Sequence, residues 1–284
     1  MRVGVFIAAL LFIPLMIAVK AMRWRLLLQA QGVEYPLGKC IEVYSIGIFW
    51  GIVTPGRLGD FVKVLYLKRH GLNVLHGLFS VVGDRLFDFV LLMGLALFSS
   101  LVVLKDMEPI VPLIWAAGVG LVFVVGIALY RRLWDMPDIT GFITRSVMSE
   151  KFGGRQFLAA TDPLSFDFKR VILARFLPVV LLTLISWLFF FSQYYVMLSA
   201  VGIAASFIEI ICSTSLAILT TFLPISIAGI GTRDAVLILL FEQMQMSSES
   251  AVVLSLIVLF NYCLSGLLGL GFWLNNPLGK NEKT

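Results

Sequence analysis

The sequence predicts an all-α, polytopic integral membrane protein with two broken, re-entrant helix pairs arranged as an inverted repeat. Three observations lead there. Of 284 residues 60% are hydrophobic and only 14% charged, with a mean hydropathy of +0.98, whereas soluble domains carry about 25% charged residues. Several apolar runs are long enough to cross a hydrocarbon core about 30 Å thick. Two further apolar runs are each interrupted by proline and glycine beside an arginine–aspartate set. The same numbers exclude a soluble enzyme, a disordered tail and a nucleic-acid-binding role. The surplus of 22 basic over 17 acidic residues belongs in loops on one side of a bilayer.

The first run, Val3 to Val19, spans about 26 Å as a helix. Arg2 precedes it as in a signal peptide, but Lys20, Arg23 and Arg25 follow it instead of a small-residue cleavage site. These cations place that end in the cytoplasm, and Arg23-Trp24-Arg25 reads as an interfacial anchor. Later spans run from Val74 to Leu104, Ile110 to Tyr130, Val171 to Leu198 and Ala251 to Leu274. The polar stretch 131–170, rich in Arg and Lys, reads as a cytoplasmic loop with an amphipathic helix near Ile139–Phe157. The tail, with Lys280 and Lys283, reads as cytoplasmic too. The chain is thus one transmembrane domain, 1–284, with a first half 1–130, the loop 131–170 and a second half 171–284.

The first broken pair is Ile41–Thr54 and Phe61–Leu67, joined through Pro55-Gly56-Arg57-Leu58-Gly59-Asp60. Proline and glycine interrupt a helix, and cations flank the pair on both sides, so both of its ends are cytoplasmic. The second is Ile210–Leu223 and Ala235–Met244, broken between Pro224 and Asp234, with flanks that carry no Lys or Arg and read as external. Asp60 and Asp234 lie 174 positions apart, and the same offset superposes one long span on another. Discontinuous helices in corresponding positions of two inverted halves point to a transporter-type site at midplane. Two pairs of short full spans with prolines in their loops are the alternative; both versions cross an even number of times.

Intramembrane charge is costly and marks function or a structural staple. Asp60 and Asp234 suit helix N-termini as caps. Arg57 and Arg233 cannot cap and require a carboxylate or a phosphate, so they lead the candidate headgroup site, with Asp60 and Asp234 beside them. Asp84 and Asp88 share one helix face, and Arg85 neighbours Asp88 at i,i+3; the rest of the needed positive charge is expected from an arginine at a broken-helix tip. The repeat offset carries Arg85 to the level of Asn261 and Tyr262, which are expected to complete a polar cavity. Glu42 and Glu209 lie at span ends, where capping or snorkelling accounts for them. Cys40, Cys212 and Cys263 read as small buried hydrophobes, with no metal-ligand spacing. No nucleophile, base or phosphate loop is evident, so neither an enzyme nor a cofactor is expected.

Four segments, Arg23–Leu27, Thr54–Asp60, Asp84–Asp88 and Gly229–Asp234, come in an order and spacing that resembles the lysylphosphatidylglycerol synthase transmembrane family. That family comprises the flippase-like membrane domain of the multiple peptide resistance factor and its stand-alone relatives. The resemblance covers roughly residues 20–275. It implies translocation of a lipid with a charged headgroup, such as an aminoacylated phosphatidylglycerol or a polyprenyl-linked sugar. Relatives usually carry Glu where Asp60, Asp84 and Asp234 stand, and one more apolar helix before Arg23, so the chain is expected to start late. The soluble aminoacyltransferase domain is missing from the chain, so lysyl transfer is not expected. The expected partner is an anionic phospholipid or polyprenyl-linked lipid of the cell (inner) membrane. A homo-oligomer, or a lipid-modifying enzyme recruited by a non-transporting scaffold through the 131–170 loop, stays open.

Overall fold

The computed structural model describes residues 2–103, 168–222 and 226–278. The expected span Ile110–Tyr130, the expected 131–170 loop as far as residue 167 and the two tail lysines lie outside them, and the second expected break lies partly so; residues 168–170, expected in the loop, already belong to a helix. The described residues form helices and connecting turns, with no strand. In chain order the α-helices are α1 (Val3–Ala9), α2 (Phe12–Gln29), α3 (Leu37–Val53), α4 (Val62–Arg69), α5 (Val74–Val103), α6 (Phe168–Val201), α7 (Phe207–Leu219), α8 (Thr232–Gln243) and α9 (Ser248–Asn275), with 3₁₀ turns at Pro55–Phe61 and Thr220–Phe222. Three stretches among them are long and apolar enough to cross a membrane: Val3–Gln29, Arg175–Val201 and Ser248–Asn275. The chain is a helical membrane protein.

Both interruptions fall where proline and glycine predict them. At the first, Gly56 and Arg57 take left-handed backbone, with φ of 60° and 57°. The Thr54 hydroxyl accepts from the Gly59 amide at 2.6 Å and donates to the Trp50 carbonyl at 2.8 Å. Backbone groups released by the break are therefore satisfied inside the protein, as apolar surroundings demand. At the second, Ala228, Gly229 and Gly231 have φ of 54°, 78° and 86°.

The first span differs from its sequence reading. It bends at Leu10–Leu11 and then runs on to Gln29, ten residues past Val19, so Lys20, Arg23 and Trp24 lie within the helix rather than beyond its end. Arg23 and Trp24 are fully buried and are not interfacial anchors.

Two apolar clusters hold the helices. One gathers Trp24, Leu28, Tyr35, Val43, Tyr44, Tyr66 and Leu67 from α2, α3 and α4. The other gathers Leu92, Trp187, Phe191, Tyr194, Ile210, Leu237, Phe241, Leu254 and Val258 from α5, α6, α7, α8 and α9. Leu177, Leu188, Leu256, Leu267 and Leu274 point outward, where a bilayer would solvate them. Cys40 and Cys212 are buried, but Cys263 is exposed, which corrects the expectation for that residue.

The ends of the long helix α9 orient the two broken pairs. At its C-terminal end Asn276 accepts from Tyr66 through its carbonyl (2.6 Å) and from Arg69 through its side chain (2.9 Å), and donates to Glu42 (2.8 Å). The start of α3 and the end of α4 thus gather there. At its N-terminal end, Ser248 donates to Glu242 of α8 (3.1 Å). Since α9 is 28 residues, or about 42 Å long, the start of α3 and the end of α4 lie at one end of it and the end of α8 at the other.

Helix α9 crosses α3 at small residues. A Cβ built at Gly269 would stand 2.1 Å from the Ser45 carbonyl oxygen, whereas one at Gly271 meets nothing within 4 Å. Close backbone approach of this kind is how helices associate where lipid is as apolar as a leucine. Gly269→Ala should therefore destabilise the protein by about 1–3 kcal/mol, and Gly271→Ala should leave it unchanged. Thermal melting of the two variants in detergent measures the difference.

Candidate functional site

Charged groups in the described residues form two sets, one in the first half and one where the halves meet. The first is centred on Arg23. Its Nε and Nη2 reach Asp84 Oδ1 at 2.8 and 2.7 Å, and its Nη1 reaches Asp88 Oδ1 at 2.6 Å and Thr183 Oγ1 at 3.0 Å. Tyr44 donates to Asp84 at 3.0 Å and Trp187 to Asp88 at 2.9 Å. Lys63 Nζ stands 2.9 Å from Asp60 and 3.7 Å from Asp84, with its ammonium 4.1 Å from the centre of the Tyr44 ring. Lys20, at the edge of the set, lies 3.6 Å from Asp88.

This arrangement corrects three sequence expectations. Arg85 does not neutralise Asp88 along its own helix but turns to Asp60, at 2.7 Å. The cation between Asp84 and Asp88 is Arg23, not an arginine from a broken-helix tip. Asp60 is not a cap either: it is buried and held by Lys63 and Arg85, which ties the first break to α4 and α5. One sequence signal for Arg23 exists. Leu26-Leu27-Leu28 continue the apolar run past Arg25, so the preceding cations lie inside a span.

The second set joins the halves. The 3₁₀ turns of the two breaks touch each other. Arg57 Nη2 donates to the Tyr262 hydroxyl at 2.7 Å, and its guanidinium carbon lies 5.1 Å from the centre of that ring. The Arg233 guanidinium carbon lies 5.7 Å from the same ring centre. Tyr262 sits near the middle of α9, so both arginines converge at its mid-height. Arg233 is buried and pairs with its neighbour Asp234 at 2.7 Å. Asp234 accepts from the Gly231 amide at 3.0 Å, so the capping expectation describes this aspartate well. Asn261 accepts from Gln193 at 3.0 Å and donates to the Ile257 carbonyl. Of the residues singled out in the sequence, Arg57, Arg233, Asp234, Asn261 and Tyr262 come together, while Asp60, Asp84, Arg85 and Asp88 join the Arg23 set. Elsewhere, Glu209 closes a capping box with Ser206, and Glu42 pairs with Lys39 at 3.2 Å.

Two breaks that touch, inward-turned arginines and an outward-facing leucine surface define a polytopic membrane protein. A family model described as the lysylphosphatidylglycerol synthase TM region matches residues 1–269. The chain belongs to that family, which gives it a lipid-related role in the membrane. No curated protein and no solved structure matches it.

Removing one partner of a buried ion pair leaves an uncompensated charge and costs about 3–5 kcal/mol. Arg23→Ala should approach that range, because both Asp84 and Asp88 lose their main cation. Arg85→Ala should cost less, since Lys63 still faces Asp60 and Arg85 is 20% exposed. Chemical denaturation of the two variants in detergent micelles checks the order.

Proposed function

We propose that the chain carries a lipid with a charged headgroup, a phospholipid or a polyprenyl-linked lipid, across the cell (inner) membrane in a flippase-like manner. The observation that supports this most is the convergence of Arg57 and Arg233 on Tyr262. The two arginines come from different broken pairs, yet both meet at the middle of α9. In this reading the pairs are re-entrant and form an inverted repeat. The helix order agrees: long helix, broken pair and long helix occur in each half, and the starts of α5 and α9, Val74 and Ser248, differ by the same 174 positions. A site reached in turn from each side, at the meeting point of two discontinuous helices, is the arrangement of secondary transporters.

A headgroup drawn to that depth loses water and needs replacement donors, which arginine supplies in bidentate form to a phosphate. The chain acts as a carrier and not as an enzyme. Lys39, Lys68 and Arg69 at the open end of the first pair, with the end of α9 beside them, support a cytoplasmic C-terminus under the positive-inside rule; Lys20 and Arg23, being engaged inside, no longer contribute to it.

Topology is tested with single cysteines at Leu58 and Ile230, exposed residues at the two breaks, in a Cys263→Ser background. Impermeant maleimides should reach the first from the cytoplasmic side and the second from outside. Labelling of both from one side overturns the inverted arrangement.

Transport is tested in liposomes that contain the purified protein and a fluorescent anionic lipid. Arg57→Ala should reduce leaflet exchange by at least about tenfold, equivalent to 1.4 kcal/mol, and Arg57→Lys should retain part of it. Parent-like exchange by Arg57→Ala rejects Arg57 as the headgroup contact.

A further inference from the structure

The two arginines at Tyr262 are not equivalent, and their difference sets the charge of the ligand. Arg233 is closed. Its Nε and Nη2 both engage Asp234 Oδ1, at 2.9 and 2.7 Å, and its other contacts go to Ser255 and the Ala228 carbonyl at 3.4 Å. Asp234 is closed in turn: the Ser255 hydroxyl joins Arg233 on Oδ1, and the Gly231 amide occupies Oδ2. Together they are a neutral unit.

Arg57 is open. It is half-buried and held in left-handed backbone, and its side chain makes one hydrogen bond, to Tyr262. No carboxylate pairs with it among the described residues. Asn261, the other polar group at this level, engages both its carbonyl and its amide with protein partners. Among the described residues the site therefore holds one uncompensated positive charge, with donors to spare, and no free carboxylate.

We infer that this site selects a phosphodiester headgroup of net charge −1 and discriminates against headgroups that also carry an ammonium. The inference rests on the headgroup reading of Arg57 and deepens it. A monoanionic phosphodiester balances Arg57 in one contact. A zwitterionic or aminoacylated headgroup brings an ammonium to the same place, where it meets Arg57 as a like charge and, among the described residues, finds no carboxylate that lacks a partner. In surroundings of low dielectric that repulsion is weakly screened, and an unpaired charge is heavily penalised. Selectivity then arises from what the site withholds as much as from what it offers.

The experiment is native mass spectrometry of the full chain released from nanodiscs. The nanodiscs hold equal amounts of phosphatidylglycerol, phosphatidylcholine and lysyl-phosphatidylglycerol with matched acyl chains. The parent protein should retain phosphatidylglycerol at least about tenfold over each of the others, and Arg57→Gln should bring the three to parity with an unchanged melting temperature. A soluble competitor, glycerophosphoglycerol, should displace the lipid only at far higher concentration. Equal retention of the three lipids by the parent overturns the charge inference and leaves lipid carriage standing. Retention of none, with no leaflet exchange, overturns both. Undiminished selectivity in a folded Arg57→Gln variant overturns the assignment to Arg57. If that variant does not fold, Tyr262→Phe, which removes the hydroxyl that Arg57 grips, takes its place and should reduce the parent's preference. Displacement by glycerophosphoglycerol at lipid-like concentration makes the ligand a soluble phosphodiester and overturns the lipid part.

Discussion

Burying Arg23 is the constraint on which the first half of the molecule depends. A guanidinium removed from water inside an apolar helix bundle must be matched by negative charge and by hydrogen-bond acceptors, or the bundle does not form. Arg23 meets that demand with two aspartates of α5 and the Thr183 hydroxyl of α6. Those aspartates in turn accept hydrogen bonds from Tyr44 and Trp187 and face the ammonium groups of Lys63 and Lys20. Helices α2, α3, α4, α5 and α6 are thereby locked in one relative arrangement. Charge pairing of this kind supplies register more than net stability, and register is what two re-aimed helix tips require.

The Arg23 set reaches the first break through Asp60. Its carboxylate is shared by Lys63, one turn along, and Arg85 of α5. Asp60 Oδ1 lies against α3 so closely that a Cβ at Gly47 would stand 2.7 Å from it. The turn that presents Arg57 is therefore clamped from behind, while Arg57 itself leaves the clamp and turns to Tyr262 on the other half. A left-handed non-glycine residue is strained, and here the strained residue is the one that points its side chain across the interface. The second break is built otherwise: Arg233 and Asp234, adjacent in sequence, satisfy each other, and Ser255 of α9 joins them. One half thus offers a cation without a carboxylate partner among the described residues, and the other a neutral pair.

Neither set works alone. With the first break unclamped, Arg57 would be free to fold back on Asp60 or Asp84. Among the described residues, pairing within each half leaves a single positive charge, Arg57, at the junction.

Class, helices and breaks were legible in the sequence, because hydropathy and the conformational limits of proline and glycine act locally. Arg57 and Arg233 stood out as arginines at the breaks, and Asn261 and Tyr262 as polar residues expected at the level of Arg85; that Tyr262 is where both arginines meet belongs to the structure. Partner choice was not legible either. At i,i+3 Arg85 and Asp88 look like a pair, yet Arg85 turns to Asp60, because Arg23 already occupies Asp88 from a helix 65 positions away in the chain. Arg23 looks interfacial from its flanking Trp24 and Arg25, and only the packing of α2 between α3 and α5 draws it inside. Side-chain type is local, but which opposite charge lies within 3 Å is decided by helices far apart in the chain, and that belongs to the tertiary structure.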